Sequence, residues 1–406
     1  MNIRTIKDKF RLLIKQKILL FFEGYMLRQR RNYIMSLLTD KLPFLQSLNA
    51  EERREIEEFW NPWLKGRNLL DYRWFSFYKY VQKTAHTEYK LCHYVPDDFW
   101  EVYVDAIFTT PQKAKVLDDK NMYDMYFHDV NMPKTFFRKI GDIFLDKDYG
   151  IIDFETVYQL CKNEKEVIIK KATDSCGGSG IVFFNEGMSK AELKSFLTGN
   201  NIIGQEVVKQ HKCLSNIHSS SINTIRMMVM IFDGEAHILS SVLRMGTNHA
   251  RVDNLHNGGI FCGINDDGSL KSPAYDVKGN VYQSHPQGAI LSDVVIHNFD
   301  KCVELIKRLS TRLSYTTSLQ SWDLSIDVDG NPMVIEINNT FGGIDLHQMS
   351  NGPILGDLTP TVLEYVFNNN PLLNGKPDNN LDDETALTEN LIPTGVGGRK
   401  SGTSLS

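Results

Sequence analysis

The clearest alternation of apolar and polar residues in the chain lies on both sides of the pair Asp329-Gly330. Such alternation around an Asp-Gly pair predicts a β-hairpin with a two-residue turn. Counting outward from this turn places Asp323 directly opposite Glu336, and Asn338 two residues further along on the same face. The other face is apolar and is expected to join the core; it carries Leu324, Ile326, Met333, Ile335 and Ile337.

The polar face of this hairpin predicts a metal site. Two carboxylates and an amide oxygen converge there, and the hairpin itself has no lysine or arginine to neutralise them. Because like charges repel, a divalent cation would hold the three groups together, and an all-oxygen set suits Mg²⁺ bound with substrate phosphates. The simpler alternative is an edge hairpin whose polar face is only solvated. We favour Mg²⁺ held by Asp323, Glu336 and Asn338.

Apolar residues at helical spacing predict a helical N-terminal region over residues 1–95. Residues 1–38 are rich in lysine and arginine and contain only two acidic residues. A basic amphipathic helix of this kind either lies on an anionic membrane surface or packs as an ordinary helix with a solvated basic face, and both alternatives stay open. Further along, Asn49 with Glu52 predicts a helix start, and the aromatic residues after it, such as Trp60, are expected in the core.

Composition narrows the functional classes. The chain has 406 residues, 42% of them hydrophobic, which is enough for two or three domains with full cores. The net charge is −5, so the basic footprint of a general nucleic-acid-binding protein is missing. The six cysteines are scattered without C-x-x-C pairs, which argues against zinc and disulfides and favours a reducing cytoplasm. No apolar run approaches the ~20 residues that a membrane span needs.

A strand, a glycine-rich segment and a second strand are predicted over residues 165–184. The glycine-rich segment contains Gly177, Gly178 and Gly180, whose main-chain amides can approach phosphate oxygens closely. Lys170 can reach the same charge from the first strand. The segment is no P-loop, since G-x-x-x-x-G-K is absent, and no protein-kinase loop, since its lysine precedes the glycines. Taken alone, it is better explained as a plain flexible turn.

Two further segments have features of a nucleotide site. Residues 202–208 form a short predicted strand whose backbone could meet an adenine edge. A second hairpin, centred on Asp233-Gly234, carries Arg226 and Arg244 on largely apolar strands, and buried guanidinium groups need phosphate or carboxylate partners. Counting from this turn places Asn223 opposite Arg244 and turns Arg226 to the other face. The two arginines can share a ligand only if a strand bulges or ends between them, which the sequence leaves open.

The order of these features resembles the ATP-grasp superfamily, and within it the branch associated with sugar transfer, which accompanies bacterial capsule and teichuronic-type polysaccharide genes. The resemblance covers about residues 115–360 and is specific in combination rather than motif by motif. It is carried by the segments IIKKATDSCGGSGI, IIGQEVVKQH, SSSINTIRMMV, DNLHNGGIFCGI, SWDLSIDVDGNPMVIEINNTFGGID and HQMSNGPILGD. The fold that it implies is α+β, with two α+β subdomains that grip ATP, here preceded by the helical N-terminal region.

The residue patterns and the resemblance together predict five regions along the chain. Residues 1–95 are expected to be the helical N-terminal region and residues 96–165 a subdomain that precedes the ATP-grasp core. The lid subdomain with the glycine-rich hairpin is expected at 166–210, and the large subdomain with the metal site at 211–368. Residues 369–406 are rich in small and polar residues and are expected to be a disordered tail.

The resemblance also implies roles for individual residues. Contacts to ATP are assigned to Lys120, Lys170, Gly177, Gly178, Gly180, Glu206 and Val208. Arg226 is expected to stabilise the transferred phosphate, with Asn254 beside it, and Arg244 is counted with them as a catalytic residue. Mg²⁺ is again assigned to Asp323, Glu336 and Asn338. The chain departs from the family pattern at two positions, since Lys171 stands where proline is common and Ser179 where lysine is frequent. The second departure leaves one fewer cation over the phosphates.

The reaction implied is the ATP- and Mg²⁺-dependent joining of a carboxylate to an amine. The carboxylate attacks the γ-phosphate of ATP to give an acyl phosphate, from which the amine then displaces phosphate. Such chemistry relies on positioning and charge neutralisation rather than on a nucleophilic side chain. The substrates implied are a small-molecule or glycan carboxylate, such as a uronic acid, and an amino acid, in the cytoplasm or at the inner face of the membrane.

Two alternative functions and the identity of the base stay open. The first alternative is a phosphotransferase to a sugar hydroxyl, and the second is a nucleotide-binding partner of glycosyltransferases without turnover. The amine must lose a proton, and His256, His347 and Asp345 are candidates for the base, with none preferred.

Overall fold

The computed structural model describes residues 25–173, 180–340 and 342–374. Within these residues helices and strands are mixed, and the strands form two antiparallel sheets. The longer helices are 25–39, Ala50–Leu64, Tyr72–Ala85, Phe154–Glu164, Lys190–Phe196, Phe299–Arg312, Asp345–Asn351 and Thr359–Asn369. Three short helical segments follow one another at Asp97–Phe99, Trp100–Val104 and Asp105–Phe108.

The N-terminal region is helical, as the sequence predicts. Asn49 and Glu52 form the expected capping box at the start of helix Ala50–Leu64. Trp60 is fully buried, and its indole nitrogen donates a hydrogen bond of 2.9 Å to the carbonyl oxygen of Cys92. Trp60 therefore belongs to the core, and Phe59 and Trp63 pack against that core while partly buried.

The smaller sheet has six strands in the order β3-β2-β1-β6-β4-β5. These are β1 (Thr135–Ile140), β2 (Ile143–Asp146), β3 (Ile151–Ile152), β4 (Glu166–Lys171), β5 (Val182–Asn185) and β6 (Ile202–Glu206). Helices Phe154–Glu164 and Lys190–Phe196 pack against this sheet, and Val157, Cys161 and Leu193 share its core.

The larger sheet has seven strands in the order β11-β10-β9-β8-β7-β12-β13. These are β7 (Thr224–Phe232), β8 (Glu235–Met245), β9 (Ile260–Gly263), β10 (Ala274–Tyr275), β11 (Val281–Tyr282), β12 (Leu319–Ile326) and β13 (Pro332–Asn338). Alternate residues of β7 enter two different cores: Met227 packs with helix Phe299–Arg312, and Met228 with the N-terminal helices. Burial on both faces explains why the hairpin formed by β7 and β8 is so rich in apolar residues.

The hairpin β12–β13 pairs Asp323 with Glu336 as predicted, although the predicted two-residue turn is wrong. Ile326 pairs with Pro332, and the side chain of Asp327 organises the longer loop between them by accepting main-chain hydrogen bonds. A one-residue bulge at Ile335 restores the predicted pairing at Asp323. Because of the bulge, Ile335 lines a cavity instead of joining the core, and Val334 is buried in its place.

Several predictions fall partly outside the described residues. Residues 1–24, most of the basic segment, and residues 375–406, most of the expected tail, are not described. In the described part of the chain, no helix combines the length and the apolar character that crossing a bilayer requires. The five-region division stays a prediction, and the smaller sheet takes strands from both sides of the expected boundary at residue 165.

Candidate active site

A cavity of about 940 Å³ lies between the two sheets. Its walls come from β4, from the segment after β6, and from the strands β7, β8, β12 and β13 of the larger sheet. The cavity brings together ten of the residues predicted to form the site: Lys120, Lys170, Glu206, Val208, Arg226, Arg244, Asn254, Asp323, Glu336 and Asn338. Positions that are far apart in the sequence thus line one cavity.

Asp323 lies at the centre of a charged cluster on the larger sheet. Arg226, its neighbour on β7, donates two hydrogen bonds to its carboxylate, 2.7 Å from Nε to Oδ1 and 2.6 Å from Nη2 to Oδ2. Arg244 reaches the same carboxylate, with Nη1 3.3 Å from Oδ2. A bidentate pair between guanidinium and carboxylate fixes the orientation of both groups.

The two arginines share this partner because β8 contains a bulge. The extra residue, Leu239, shifts the β7–β8 register by one. Beyond the bulge Thr224, and not Asn223, is opposite Arg244. Arg226 lies two residues from Thr224 and therefore projects from the same face as Arg244. The bulge therefore lets the two arginines share one ligand, a possibility that the sequence left open.

The charges in this cluster stabilise one another. Burial alone would raise the pKa of Asp323, but Arg226 and Arg244 outweigh it and lower the pKa to about 2. Burial would lower the pKa of Arg226, but Asp323 outweighs it and the pKa is raised. The cluster therefore keeps its charges at any pH near neutrality.

Asp253 extends the cluster on the side of Arg244. Nη2 of Arg244 lies 3.5 Å from Oδ1 of Asp253, and the hydroxyl of Thr224 donates a hydrogen bond to the same carboxylate. Burial raises the pKa of Asp253, while Arg244 acts in the opposite direction. Arg244 is thus held between two buried carboxylates, Asp253 and Asp323.

Two lysines, Lys120 and Lys170, add positive charge beside the cluster around Asp323. Nζ of Lys120 lies 3.0 Å from Oε2 of Glu336, and the main-chain amide of Lys120 donates to the carbonyl oxygen of Ala172, just after β4. Burial, together with repulsion from Lys120, lowers the pKa of Lys170 to about 8, and Glu336 acts in the opposite direction. Lys170 therefore loses its charge not far above neutral pH.

The oxygen set predicted for Mg²⁺ is assembled, but cations from outside the hairpin already contact it. Nδ2 of Asn338 lies 3.4 Å from Oδ2 of Asp323, and Glu336 pairs with Asp323 across the hairpin. Sequence reasoning counted no cation within the hairpin and missed that Arg226 and Lys120 compensate the carboxylates. Repulsion between the carboxylates is therefore no longer an argument for the metal.

The donor chemistry nevertheless fits Mg²⁺. The side chain of Glu336 is 25% exposed, whereas that of Asp323 is 3% exposed and held by arginine. No group of three His, Cys, Asp or Glu side chains suited to a metal occurs among the described residues, so a metal here depends on the amide of Asn338. Glu336 and Asn338 would be the more accessible ligands, with Asp323 behind them.

The segment predicted to hold the adenine consists of β6 and the two residues after it, and its end lines the cavity. Oε1 of Glu206 accepts a hydrogen bond of 2.8 Å from the main-chain amide of Lys134, and the amide of Glu206 donates one of 2.9 Å to the carbonyl oxygen of Lys134. These two bonds hold Glu206 in place, and Val207 and Val208 follow it along the wall.

Asn254 is buried and lines the cavity beside the arginine cluster. Its side chain accepts a hydrogen bond of 2.9 Å from the main-chain amide of His256 and caps the helical turn Leu255–Asn257. A Cβ atom at Gly259 would lie 2.9 Å from the carbonyl oxygen of Asn254, so the loop needs glycine there to pass close to β8.

The glycine-rich segment can be placed only in part. Gly177 and Gly178 lie outside the described residues. Gly180 has a φ of +76°, a left-handed conformation that favours glycine, and Ile181 next to it lines the cavity. The lid contact to phosphate stays a prediction.

Of the three candidate bases, His256 and Asp345 line the cavity and His347 does not. His347 is fully buried, with Nδ1 2.9 Å from the hydroxyl of Ser240. Burial lowers its pKa to about 3, and the nearby Arg226 acts in the same direction. His347 is therefore a neutral residue that packs the helix Asp345–Asn351 onto β8.

Sequence reasoning missed several residues of the cavity. Asp253 adjoins Asn254 in the sequence, and this adjacency was a usable signal. Arg251 pairs with Glu166 across the two sheets and lies 3.6 Å above the ring of Phe183. The N-terminal region adds further residues, and no local motif marks them because their place depends on how the helix 25–39 packs.

Comparison with protein families identifies the chain. Its sequence matches the family model described as sugar-transfer associated ATP-grasp over residues 105–362, more than half of its length. The chain belongs to the sugar-transfer associated ATP-grasp family and has the α+β ATP-grasp fold, with a helical region in front. The resemblance inferred from the motifs is confirmed. No curated protein matches the sequence.

Solved structures with a related fold are distant from this chain. D-alanyl-alanine synthetase A from Vibrio cholerae O1 biovar eltor str. N16961 is 10% identical, with 64% of this chain and 66% of that chain covered and a TM-score of 0.40. Biotin carboxylase from Campylobacter jejuni is 12% identical, with 71% and 58% covered and a TM-score of 0.39. The D-alanine-D-alanine ligase from Coxiella burnetii is 9% identical, with 66% and 67% covered and a TM-score of 0.37. The chain thus spans about two thirds or less of the length of these proteins.

Proposed function

We propose that the protein is an ATP- and Mg²⁺-dependent ligase that joins a carboxylate to an amine through an acyl phosphate. The observation that carries the proposal is the wall of fixed charge in the cavity. Arg226 and Arg244 converge on Asp323, and Lys120 reaches Glu336 beside them. Positive charge held in place by carboxylates is what phosphoryl transfer requires of a protein.

The lysines would bind the nucleotide phosphates. Lys120 contacts Glu336, the more exposed carboxylate of the site, and would exchange this contact for a phosphate oxygen. Lys170 faces the same space from β4, and phosphate would favour its charged form. Bound Mg²⁺ would supply further neutralisation of the phosphate charge, held by Glu336 and Asn338 with Asp323 behind them.

The arginines would stabilise the group that is transferred. In the first step a carboxylate oxygen attacks the γ-phosphorus and the bond to ADP breaks. Arg226, fixed by its bidentate contact to Asp323, keeps its guanidinium in place while this charge moves. In the second step the amine nitrogen attacks the acyl carbon, inorganic phosphate leaves, and the amine gives up a proton. Of the described candidates, Asp345 and His256 line the cavity and could accept it.

The biological setting is proposed from the family description alone. A family associated with sugar transfer suggests a uronic-acid glycan or its precursor as the carboxylate, in bacterial surface polysaccharide synthesis in the cytoplasm. The same description favours one rival, a phosphotransferase that uses a sugar hydroxyl as acceptor. A partner protein of glycosyltransferases without turnover is a further rival, and the presence of Asp323, Glu336 and Asn338 argues against it.

The test is nucleotide consumption by the full-length protein with pairs of uronic acids and amino acids. A ligase releases inorganic phosphate only when carboxylate and amine are both present, whereas a phosphotransferase keeps the phosphate on the sugar. Glu336→Gln removes one anionic ligand and should reduce Mg²⁺-dependent turnover about 10²-fold or more. Asp327→Asn, in the loop of the same hairpin, is the matched control and should keep its activity. Equal activity of Glu336→Gln and wild type would remove the metal assignment.

A further inference from the structure

Beyond the charged wall, residues of the helix 25–39 line one end of the cavity. From Asn338 the lining follows the chain through Thr340 and Gly342 to Asp345. Arg30 and other residues of the helix line the same cavity. These N-terminal residues lie outside the family match, which begins at residue 105.

The side chains at this end are held in place by ion pairs. Nε of Arg30 lies 2.9 Å from Oε2 of Glu101, whose side chain is 1% exposed. Lys41 is buried, and its ammonium donates to the carbonyl oxygen of Val277 at 2.6 Å and lies 3.4 Å from Oδ2 of Asp345. Anchored charges that still border a cavity form a preorganised binding surface.

The charge at this end differs from that of the charged wall around Asp323. Two cations, Arg30 and Lys41, line it together with two carboxylates, Asp40 and Asp345. Because these cations are paired with carboxylates, a ligand that carries charge of only one sign would leave part of its charge without a partner. A small molecule that carries one charge of each sign satisfies both sets.

Apolar residues line the space between these charges. Leu37 comes from the helix, Val277 from the segment after β10, and Leu346 from the helix Asp345–Asn351. They offer contact to an aliphatic side chain of a bound molecule.

We propose that this end of the cavity, bounded by Arg30, Lys41 and Asp345, is the subsite for the amine substrate, and that this substrate is a zwitterionic amino acid. Asp345 accepts hydrogen bonds from the ammonium group, and Arg30 binds the carboxylate. Lys41 acts through Asp345, which it holds in position. The inference rests on the proposed ligase, because a ligase needs an acceptor beside the acyl phosphate, and it assigns acceptor choice to the N-terminal region.

The first test is binding of L-leucine to the full-length protein with MgADP, measured by calorimetry. Leucinamide lacks the carboxylate and 4-methylpentanoate lacks the amine, so each should bind about tenfold or more weakly than leucine. Equal binding of the three probes, or no binding of any of the twenty standard amino acids at millimolar concentration, overturns the proposal.

The second test compares two matched double variants of the same helix. Arg30→Gln/Glu101→Gln removes a buried ion pair that borders the cavity. Arg31→Gln/Asp98→Asn removes a similar pair, 3.1 Å from Nε to Oδ2, that does not border it. The first should weaken leucine binding about tenfold or more and leave leucinamide and MgADP unchanged, whereas the second should leave all three unchanged. Equal effects of the two variants overturn the proposal.

A third variant avoids buried charge altogether. Leu37→Trp should fill this end of the cavity, exclude leucine and preserve MgADP binding; leucine binding as in wild type overturns the subsite. The subsite and the ligase can fail separately. If ligation proceeds but the Arg30 variant leaves the KM of the amine unchanged, the subsite is wrong and the ligase stands. If leucine binds through Arg30 but no amide forms with any carboxylate, the ligase is wrong and the amino-acid site stands.

Discussion

The two arginines and the two lysines of the cavity are held in different ways. Arg226 and Arg244 share the buried carboxylate of Asp323, with separations of 2.6 to 3.3 Å. Lys120 contacts the more exposed Glu336, and Lys170 forms no ion pair with any described residue. Arginines that are paired with a buried carboxylate keep their charge and their position. Burial instead lowers the pKa of Lys170. The arginines are thus suited to rigid stabilisation and the lysines to contacts that form and break.

The largest effect is expected when the partner of the arginines is removed. Asp323→Asn leaves Arg226 buried without its anion, and breaking a buried pair from one side costs about 3–5 kcal/mol. Urea unfolding at pH 7 measures the free energy of unfolding. The control is Asp327→Asn, which weakens main-chain hydrogen bonds in the loop of the same hairpin and should cost only about 1 kcal/mol. Similar costs for the two variants would mean that the arginine cluster does not depend on Asp323.

The next largest effect is a difference in turnover between lysine variants of the two arginines. Arg226→Lys keeps the charge but loses the bidentate contact, so turnover should fall about 10²- to 10³-fold, the usual cost of one preorganised donor. Arg244→Lys should cost only about tenfold, because Arg244 makes the longer contact to Asp323 and also has Asp253 as a partner. Steady-state kinetics on the best carboxylate–amine pair measures both, with MgADP affinity as a check on folding. A larger loss for Arg244→Lys would reverse their roles.

The two hairpins show how far counting from a turn can predict a site. In β12–β13 the loop is longer than predicted and the bulge at Ile335 compensates, so Asp323 still meets Glu336. In β7–β8 the turn is where the sequence places it, yet the bulge at Leu239 brings Arg244 to the face of Arg226. Turn residues and alternation are local signals, but a bulge depends on the packing of the whole sheet. The sequence therefore predicts which residues meet in the first hairpin and leaves the second open.

The two ends of the cavity also differ in how far the sequence predicts them. The charged wall around Asp323 is built from motifs that are recognisable in order along the chain, and the cavity contains ten of the predicted residues. The other end uses Arg30 and Lys41, which pack against residues more than seventy positions away, at Glu101 and Asp345. Contacts of such sequence separation leave no local pattern in composition or spacing.

The smallest expected effect is a pH dependence of MgADP affinity that comes from Lys170 and not from the arginines. The pKa of Lys170 is lowered to about 8, so the side chain is a cation below this pH and becomes neutral above it. If Lys170 binds phosphate, MgADP affinity should fall as pH rises from about 7 to about 9, by at most about tenfold per unit of pKa difference between free and bound states. Calorimetry at several pH values measures this change.

The matching variant is Lys170→Arg, because a guanidinium stays charged throughout this range and should flatten the pH profile of MgADP affinity. Lys171→Arg makes the same substitution on the opposite face of β4 and should retain the wild-type profile. The arginine cluster predicts no pH dependence of its own here, since the pKa of Asp323 is about 2 and that of Arg226 is raised. A profile that persists in Lys170→Arg would therefore have to come from another group, and Lys170 would not be a phosphate ligand.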